Sequence, residues 1–125
     1  MRDALNKTGR PIFYSICNWG REHTPRWAPE VGNSWRTTYD IKDIWASVEL
    51  NIMLNNRHPE AAGPGAWNDP DMLEVGNGHL SNEAYKTHFA LWCLVKSPLL
   101  IGCDMAKMSE DTLQILGNEA LIAIN

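Results

Sequence analysis

The stretch Ala66-Trp67-Asn68-Asp69-Pro70-Asp71-Met72-Leu73 opens apolar, turns polar within two residues and is broken by a proline at position 70. Just before it, Gly63-Pro64-Gly65 makes a tight bend. This is the pattern of a short strand entered through a turn and left through an acidic loop. Three further runs share the pattern. Pro98-Leu99-Leu100-Ile101-Gly102-Cys103 is nearly all apolar, as a buried parallel strand would be. Ser34-Trp35-Arg36 is a weaker run, and Pro11-Ile12-Phe13-Tyr14-Ser15-Ile16-Cys17 is rich in β-branched and aromatic residues. The runs begin near 11, 34, 66 and 98, at intervals of 23, 32 and 32 residues. A (β/α)8 barrel of ~250 residues uses about 31 per unit. The rhythm therefore fits an α/β chain of four consecutive units, half of such a barrel. A small doubly wound sheet has the same rhythm.

Helical signals fall between the runs. Ile41, Ile44, Trp45, Val48 and Ile52 share one helical face, with Asp43, Glu49 and Asn51 elsewhere. Ser81 is placed to cap a helix through Tyr85, Phe89, Trp92 and Val95 that stops before Pro98. Ser109 caps another, with Glu110 and Asp111 at the positive end of its dipole and Gly117 at its close. Met1 to Lys7 reads as the last turns of a helix, with Gly9 at its C-terminal cap. Trp27, Trp45 and Trp92 read as core, and His88, inside a helical pattern, as structural.

Composition narrows the function. The 125 residues allow one small domain, and 44% apolar with 21% charged residues is a globular balance. Eleven Lys and Arg against 15 Asp and Glu give a net charge of −4, which argues against a nucleic-acid partner. No apolar run approaches the ~18 residues of a membrane span, and Met1-Arg2-Asp3-Ala4-Leu5 lacks a signal-peptide core. Cysteines 17, 93 and 103 match no zinc spacing. Cys93 and Cys103 read as inert, and Cys17, which closes a strand, is the thiol to watch. Asn6-Lys7-Thr8 is a formal glycosylation acceptor.

The strand ends carry the chemistry. Each run closes on polar residues: Cys17-Asn18-Trp19-Gly20, Arg36-Thr37-Thr38-Tyr39-Asp40, Asn68-Asp69-Pro70-Asp71 and Cys103-Asp104. Parallel α/β folds bind ligands at the carboxyl ends of their strands. Carboxylates gathered there beside an arginine and several tryptophans suit a polyol or a sugar. Carboxylates accept from hydroxyls, aromatic faces stack on the ring, and the guanidinium fork orients it. Plainer roles compete: Asp40 as the cap of the Ile41 helix, Asp69-Pro70 as a turn, and Arg36 as a structural ion-pair partner. A metal site on Asp40, Asp69 and Asp71 is the weakest reading, because no histidine is suitably spaced.

Three strings, YSICNWG (14–20), VGNSWRTTYDI (31–41) and AGPGAWNDPDMLEVGN (62–77), together with SPLLIGCDM (97–105) and NEALIAIN (118–125), resemble the melibiase-type α-galactosidases of glycoside hydrolase family 27. The resemblance covers essentially the whole chain in order. It implies a (β/α)8 TIM barrel followed by a β domain, of which this chain supplies the C-terminal half, about strands five to eight. It implies a retaining hydrolase acting on terminal α-D-galactosyl residues, with no cofactor and no metal. Residue by residue, it places Asp40 as the acid/base and Arg36 and Asp71 on the sugar. Met72 then lines the pocket, and Cys17 and Asn18 form the wall near the sugar's 2-position. Some members of the family carry Glu where Asn18 stands, and some relatives take N-acetylgalactosamine. A secreted, vacuolar or lysosomal location also follows from the resemblance.

One departure matters. The family's nucleophile, an aspartate in a Lys-x-Asp strand end, has no counterpart here, since Lys42-Asp43 is adjacent and lies in a helical pattern. The paired aspartates after strand two and the C-terminal β domain have none either. The chain thus reads as the middle of a longer enzyme, whose remaining barrel it needs for turnover. The alternative reading is a catalytically incomplete half-barrel that acts only as a sugar-binding or subunit-interaction module. A half-barrel has two open sheet edges, which invite pairing. The isolated 125 residues are expected to be marginally stable or to dimerise edge to edge. A thermal melt with size analysis checks this, and a sharp monomeric transition above ~60 °C would count against the half-barrel.

Overall fold

A computed structural model describes residues 1–125. Its centre is a three-stranded parallel sheet of β1 (Ser15–Ile16), β2 (Ser34–Arg36) and β3 (Trp67–Asp69), in the order β1-β2-β3. Ser34 pairs with both Ser15 and Trp67, and Arg36 with Asp69. Beyond β3 the ladder continues as a parallel bridge between Leu73 and Ile101, with Leu73 N–H donating to the Leu100 carbonyl and Gly102 N–H to that of Leu73. Each new strand is added on the same side as the last. A doubly wound sheet reverses its order at a switch point, whereas a barrel keeps one direction. The strand order therefore favours the barrel.

Five helices accompany the sheet: α1 (Arg2–Asn6), α2 (Trp45–Asn55), α3 (Asn82–Leu94), α4 (Glu110–Leu116) and α5 (Glu119–Ile122). Ser81 and Ser109 cap α3 and α4 as their sequence positions require, each accepting from the amide three residues on, and Gly117 closes α4. Gly9 falls two residues beyond the C-cap, Lys7, of α1. The Gly63-Pro64-Gly65 bend is present, closed by paired hydrogen bonds between Gly63 and Ala66.

Five expectations need correction. The run 11–17 pairs only at Ser15–Ile16: it is an edge, Pro11 has no N–H to donate, and Ile12 and Phe13 are exposed. The run 98–103 is not a buried strand. It makes one bridge, on one side only, so Leu100 is 52% and Ile101 39% exposed. Helix α2 starts at Trp45 rather than at Ile41, because the acidic residues before it bond elsewhere. Asp43 turns inward, accepting from Tyr85 Oη at 2.7 and 2.9 Å and from His79 N–H at 2.8 Å. Trp45 and Trp27 are exposed, and Asn51 lies on the buried face of α2, where its amide donates to Thr38 Oγ1 and the Pro70 carbonyl. A polar side chain that satisfies loop carbonyls in the interior is indistinguishable, by periodicity, from one facing water.

The main core joins Val48, Leu73, Val75, Tyr85, Phe89, Trp92, Cys93 and Ile115. Burying each of the larger of these is worth ~1.5–3 kcal/mol. A smaller cluster of Ile16, Ala28 and Trp35 backs the sheet, with Trp35 Nε1 donating to Asn68 Oδ1 at 2.7 Å. Within the main core His88 is structural, as read. Its Nε2 accepts from Glu74 N–H at 3.0 Å, its ring meets Trp92 edge-on at 4.1 Å, and burial lowers its pKa to about 4.

His88 gives a signed pH prediction. Unfolded, it takes a proton below about 6.5; folded, it refuses one until about 4. Stability from neutral His88 is thus full above pH 6.5 and falls as pH drops towards 4, by roughly 3 kcal/mol at one unit per 1.36 kcal/mol. Burial raises the pKa of Asp69 and Glu74, which acts in the opposite direction. The comparison with His88→Gln isolates the histidine. The wild type's advantage in urea unfolding should shrink by that amount between pH 7 and pH 4, and a constant difference would refute it.

Candidate active site

The parallel register brings the ends of β1, β2 and β3 to one rim, and the candidate residues emerge there. Arg36 ends β2 with its side chain only 10% exposed. Its Nη2 donates to Asp71 Oδ2 at 2.7 Å, to Asp40 Oδ1 at 3.2 Å and to the Thr38 carbonyl at 3.2 Å. One guanidinium nitrogen therefore holds two carboxylates, one from the loop after β2 and one from the loop after β3.

The loop that delivers Asp71 is built from local bonds. Asp69 Oδ1 accepts from the Asp71 amide at 2.8 Å, an Asx turn across Pro70. Asp71 has φ of +91°, a backbone state unusual for a residue with a Cβ. From below, Trp92 Nε1 in α3 donates to the Asp71 carbonyl at 2.7 Å. The Asp71 carboxylate also accepts from Ile41 N–H on Oδ2 and Met72 N–H on Oδ1, at 2.8 and 2.7 Å. Three donors plus burial make it rigid and leave about one acceptor site of four open. Asp69, more deeply placed, is pushed towards the neutral form by burial, against the Asp71 amide and the charge of Arg36.

Asp40 is the opposite case. Its side chain is 76% exposed, against 9% for Asp71. It does not cap α2, whose N-cap is Ile44 without a side-chain bond. Instead Oδ1 accepts from Arg36 and, at 3.2 Å, from Trp19 Nε1. The plainer readings of the other two also hold in part: Arg36 is an ion-pair partner and Asp69-Pro70 a turn, and both serve the same rim.

Of the residues singled out, the structure joins Arg36, Asp40 and Asp71, with Met72 following Asp71 and partly exposed. Cys17 is exposed with a free thiol just beyond β1. The Asn18 side chain braces its own loop, donating to the Arg21 carbonyl and accepting from Thr24 Oγ1 at 2.8 Å. Asp40, Asp69 and Asp71 do not form a metal-ligand group, since Arg36 stands between two of them and a backbone amide holds the third. The sequence placed Trp19 and Tyr39 at strand ends but gave neither a role of its own, and their rings lie 5.7 Å apart beside Asp40. The available signal was their place at two strand ends. They border a pocket of about 260 Å³ that also takes in His23, Asn55 and Arg57 and reaches neither Asp40 nor Asp71.

Strand order and rim together define a piece of an α/β barrel that gathers carboxylates around a buried arginine at its strand ends. The chain belongs to the family described as Melibiase_2, alpha galactosidase A, whose model matches residues 1–125. It is 59% identical to Alpha-galactosidase 3 of Arabidopsis thaliana and 51% to an alpha-galactosidase of Oryza sativa subsp. japonica, each over all of this chain but 29% and 30% of those proteins. Among solved structures it superposes on the α-galactosidase of Saccharomyces cerevisiae with raffinose at a TM-score of 0.97 and 36% identity, over 99% of this chain and 32% of that one. The chain thus spans about a third of the length of the relatives it matches.

The ion pair can be tested by removing the Asp71 charge, a change that also sets an amide NH2 against one of the backbone N–H donors. Asp71→Asn keeps the shape and tolerates the positive φ, but leaves Arg36 in direct ion pairing with only one carboxylate, the exposed Asp40. Removing one partner of a buried pair costs about 3–5 kcal/mol. Urea unfolding should report a loss of that order; a loss under ~1 kcal/mol would mean that Asp40 and Thr38 suffice.

Proposed function

We propose that these residues form part of the catalytic barrel of a retaining glycoside hydrolase that releases terminal α-D-galactosyl residues, with Asp40 as its general acid/base. On this reading the chain supplies about strands five to eight, and the nucleophile-bearing half and the C-terminal β domain lie outside residues 1–125. The observation that carries the reading is the shared guanidinium: Arg36 Nη2 fixes a buried Asp71 and an exposed Asp40 on one rim. Family membership and the names of the relatives supply the substrate class.

The two carboxylates divide the work. Asp71, rigid and almost fully bonded, accepts from a sugar hydroxyl and orients the ring, with Arg36 keeping it in place. Asp40 is anchored through one oxygen only, so the other is free to give a proton to the leaving oxygen and later to take one from water. Retention needs a second carboxylate about 5–5.5 Å from the first, which other polypeptide of the full-length enzyme provides. Met72, Cys17 and Asn18 shape the wall of the sugar pocket. Asn18 does so through its loop, since both ends of its amide are already bonded there.

Asp40→Asn in the full-length enzyme keeps the side chain's shape and removes the proton. Turnover of a galactoside with a poor leaving group should fall 10²–10⁴-fold. Nearly unchanged turnover would show that position 40 is not the acid, and that the segment at most binds sugar.

A further inference from the structure

Beside the acid/base stands an arrangement that the sugar-binding residues do not explain. Trp19 and Gly20 are consecutive left-handed residues, with φ of +58° and +71°. For a tryptophan that state is costly, so something holds it. Gly20 lies so close to the chain after β2 that a Cβ there would sit 2.8 Å from the Thr37 carbonyl oxygen. The loop after β1 is thereby clamped against the loop that bears Asp40. The Arg21 guanidinium then lies 5.0 Å over the Trp19 ring and 5.6 Å over Tyr39, whose ring is tilted 42° to the indole. Such stacking stabilises by about 0.5–1 kcal/mol per pair at exposed sites.

The outcome of this bracing is a single polar contact. Trp19 Nε1 donates to Asp40 Oδ1 at 3.2 Å, and Arg36 Nη2 donates to the same oxygen at the same distance. Within residues 1–125 both donors to this carboxylate reach Oδ1 and none reaches Oδ2. An exposed aspartate otherwise rotates freely, and either oxygen could carry the proton. With two N–H groups aimed at Oδ1 from two different loops, the protonated side chain places its hydrogen on Oδ2.

We propose that Trp19 is a positioning residue for proton donation: with Arg36 it selects Oδ2 of Asp40 as the donating oxygen and aims it at the leaving group. In the step, the Oδ2–H bond breaks as a bond to the glycosidic oxygen forms. The anomeric carbon–oxygen bond breaks at the same time, and its electron pair stays with the departing oxygen. The nucleophile of the full-length enzyme bonds to the anomeric carbon. The inference rests on Asp40 being the acid.

The test is a comparison of leaving groups in the full-length enzyme. Trp19→Phe keeps an aromatic face but removes the N–H; a benzothiophene isostere at Trp19 removes the N–H and keeps the bicyclic shape. A sugar or alkyl leaving group needs the proton, whereas 4-nitrophenolate departs as a stable anion. The loss of one hydrogen bond to a charged group corresponds to roughly tenfold. Both variants should therefore lose about tenfold in kcat/KM on the sugar-leaving substrate and less than about twofold on the nitrophenyl one. Asp40→Asn is run beside them. If Asp40→Asn discriminates between leaving groups but the Trp19 variants lose both activities equally, or neither, the positioning role is overturned. If Asp40→Asn itself does not discriminate, the acid assignment falls, and this inference with it.

Discussion

A guanidinium buried at the end of a central strand is the constraint around which this rim is organised. Taking such a charge out of water costs several kcal/mol unless carboxylates meet it. Arg36 meets two, from two loops, and Asp40 in turn accepts from a third loop through Trp19. Neighbouring parallel strands lie ~4.8 Å apart, so adjacent strand ends are within reach of one arginine. The loops after β1, β2 and β3 are thereby tied at a single point, and the tie is electrostatic and directional where the main core beneath it is apolar.

Three aspartates share the rim, and their surroundings give them different work. Asp69 is buried and biased to the neutral form, and its role is to turn the chain. Asp71 sits under three donors and cannot move without breaking them. Asp40 is open to solvent and anchored through one oxygen. Only the last combines access with a free lone pair, which is what proton transfer requires. The loop strain at Asp71 has its compensation in Trp92, so α3 takes part in the site from the opposite side of the sheet end.

Much of this was legible in the residues, and the gaps have physical causes. Strands β2 and β3, the caps of α3 and α4, and the tight bend at 63–66 follow from local signals that the fold leaves intact. That Arg36, Asp40 and Asp71 meet at one rim follows from the parallel order, which brings the carboxyl ends of neighbouring strands together. The start of α2 did not follow, because Asp43 is drawn to Tyr85, 42 positions away, and periodicity carries no information about such a partner. Asn51 was misplaced for the same reason. Trp19 stood in the strand-end string 17–20 without a role of its own, because its N–H bond to Asp40 and its left-handed backbone are recorded by no hydrophobic pattern.

The sheet's flanks differ in kind from its middle. Ile12 and Phe13 at one side, and Leu100 and Ile101 at the other, are apolar and exposed, beside ladders that are paired on one side only. All-parallel sheets are stable when both faces and both edges are covered. Yet every bond that defines the rim runs between the loops after β1, β2 and β3, or down to α2 and α3, and none depends on those flanks. The geometry of donor and acceptor around Asp40 is therefore a property of these residues. The flanking surfaces bear on how long that geometry persists, which is a matter of stability and separate from the donor and acceptor pattern of the rim.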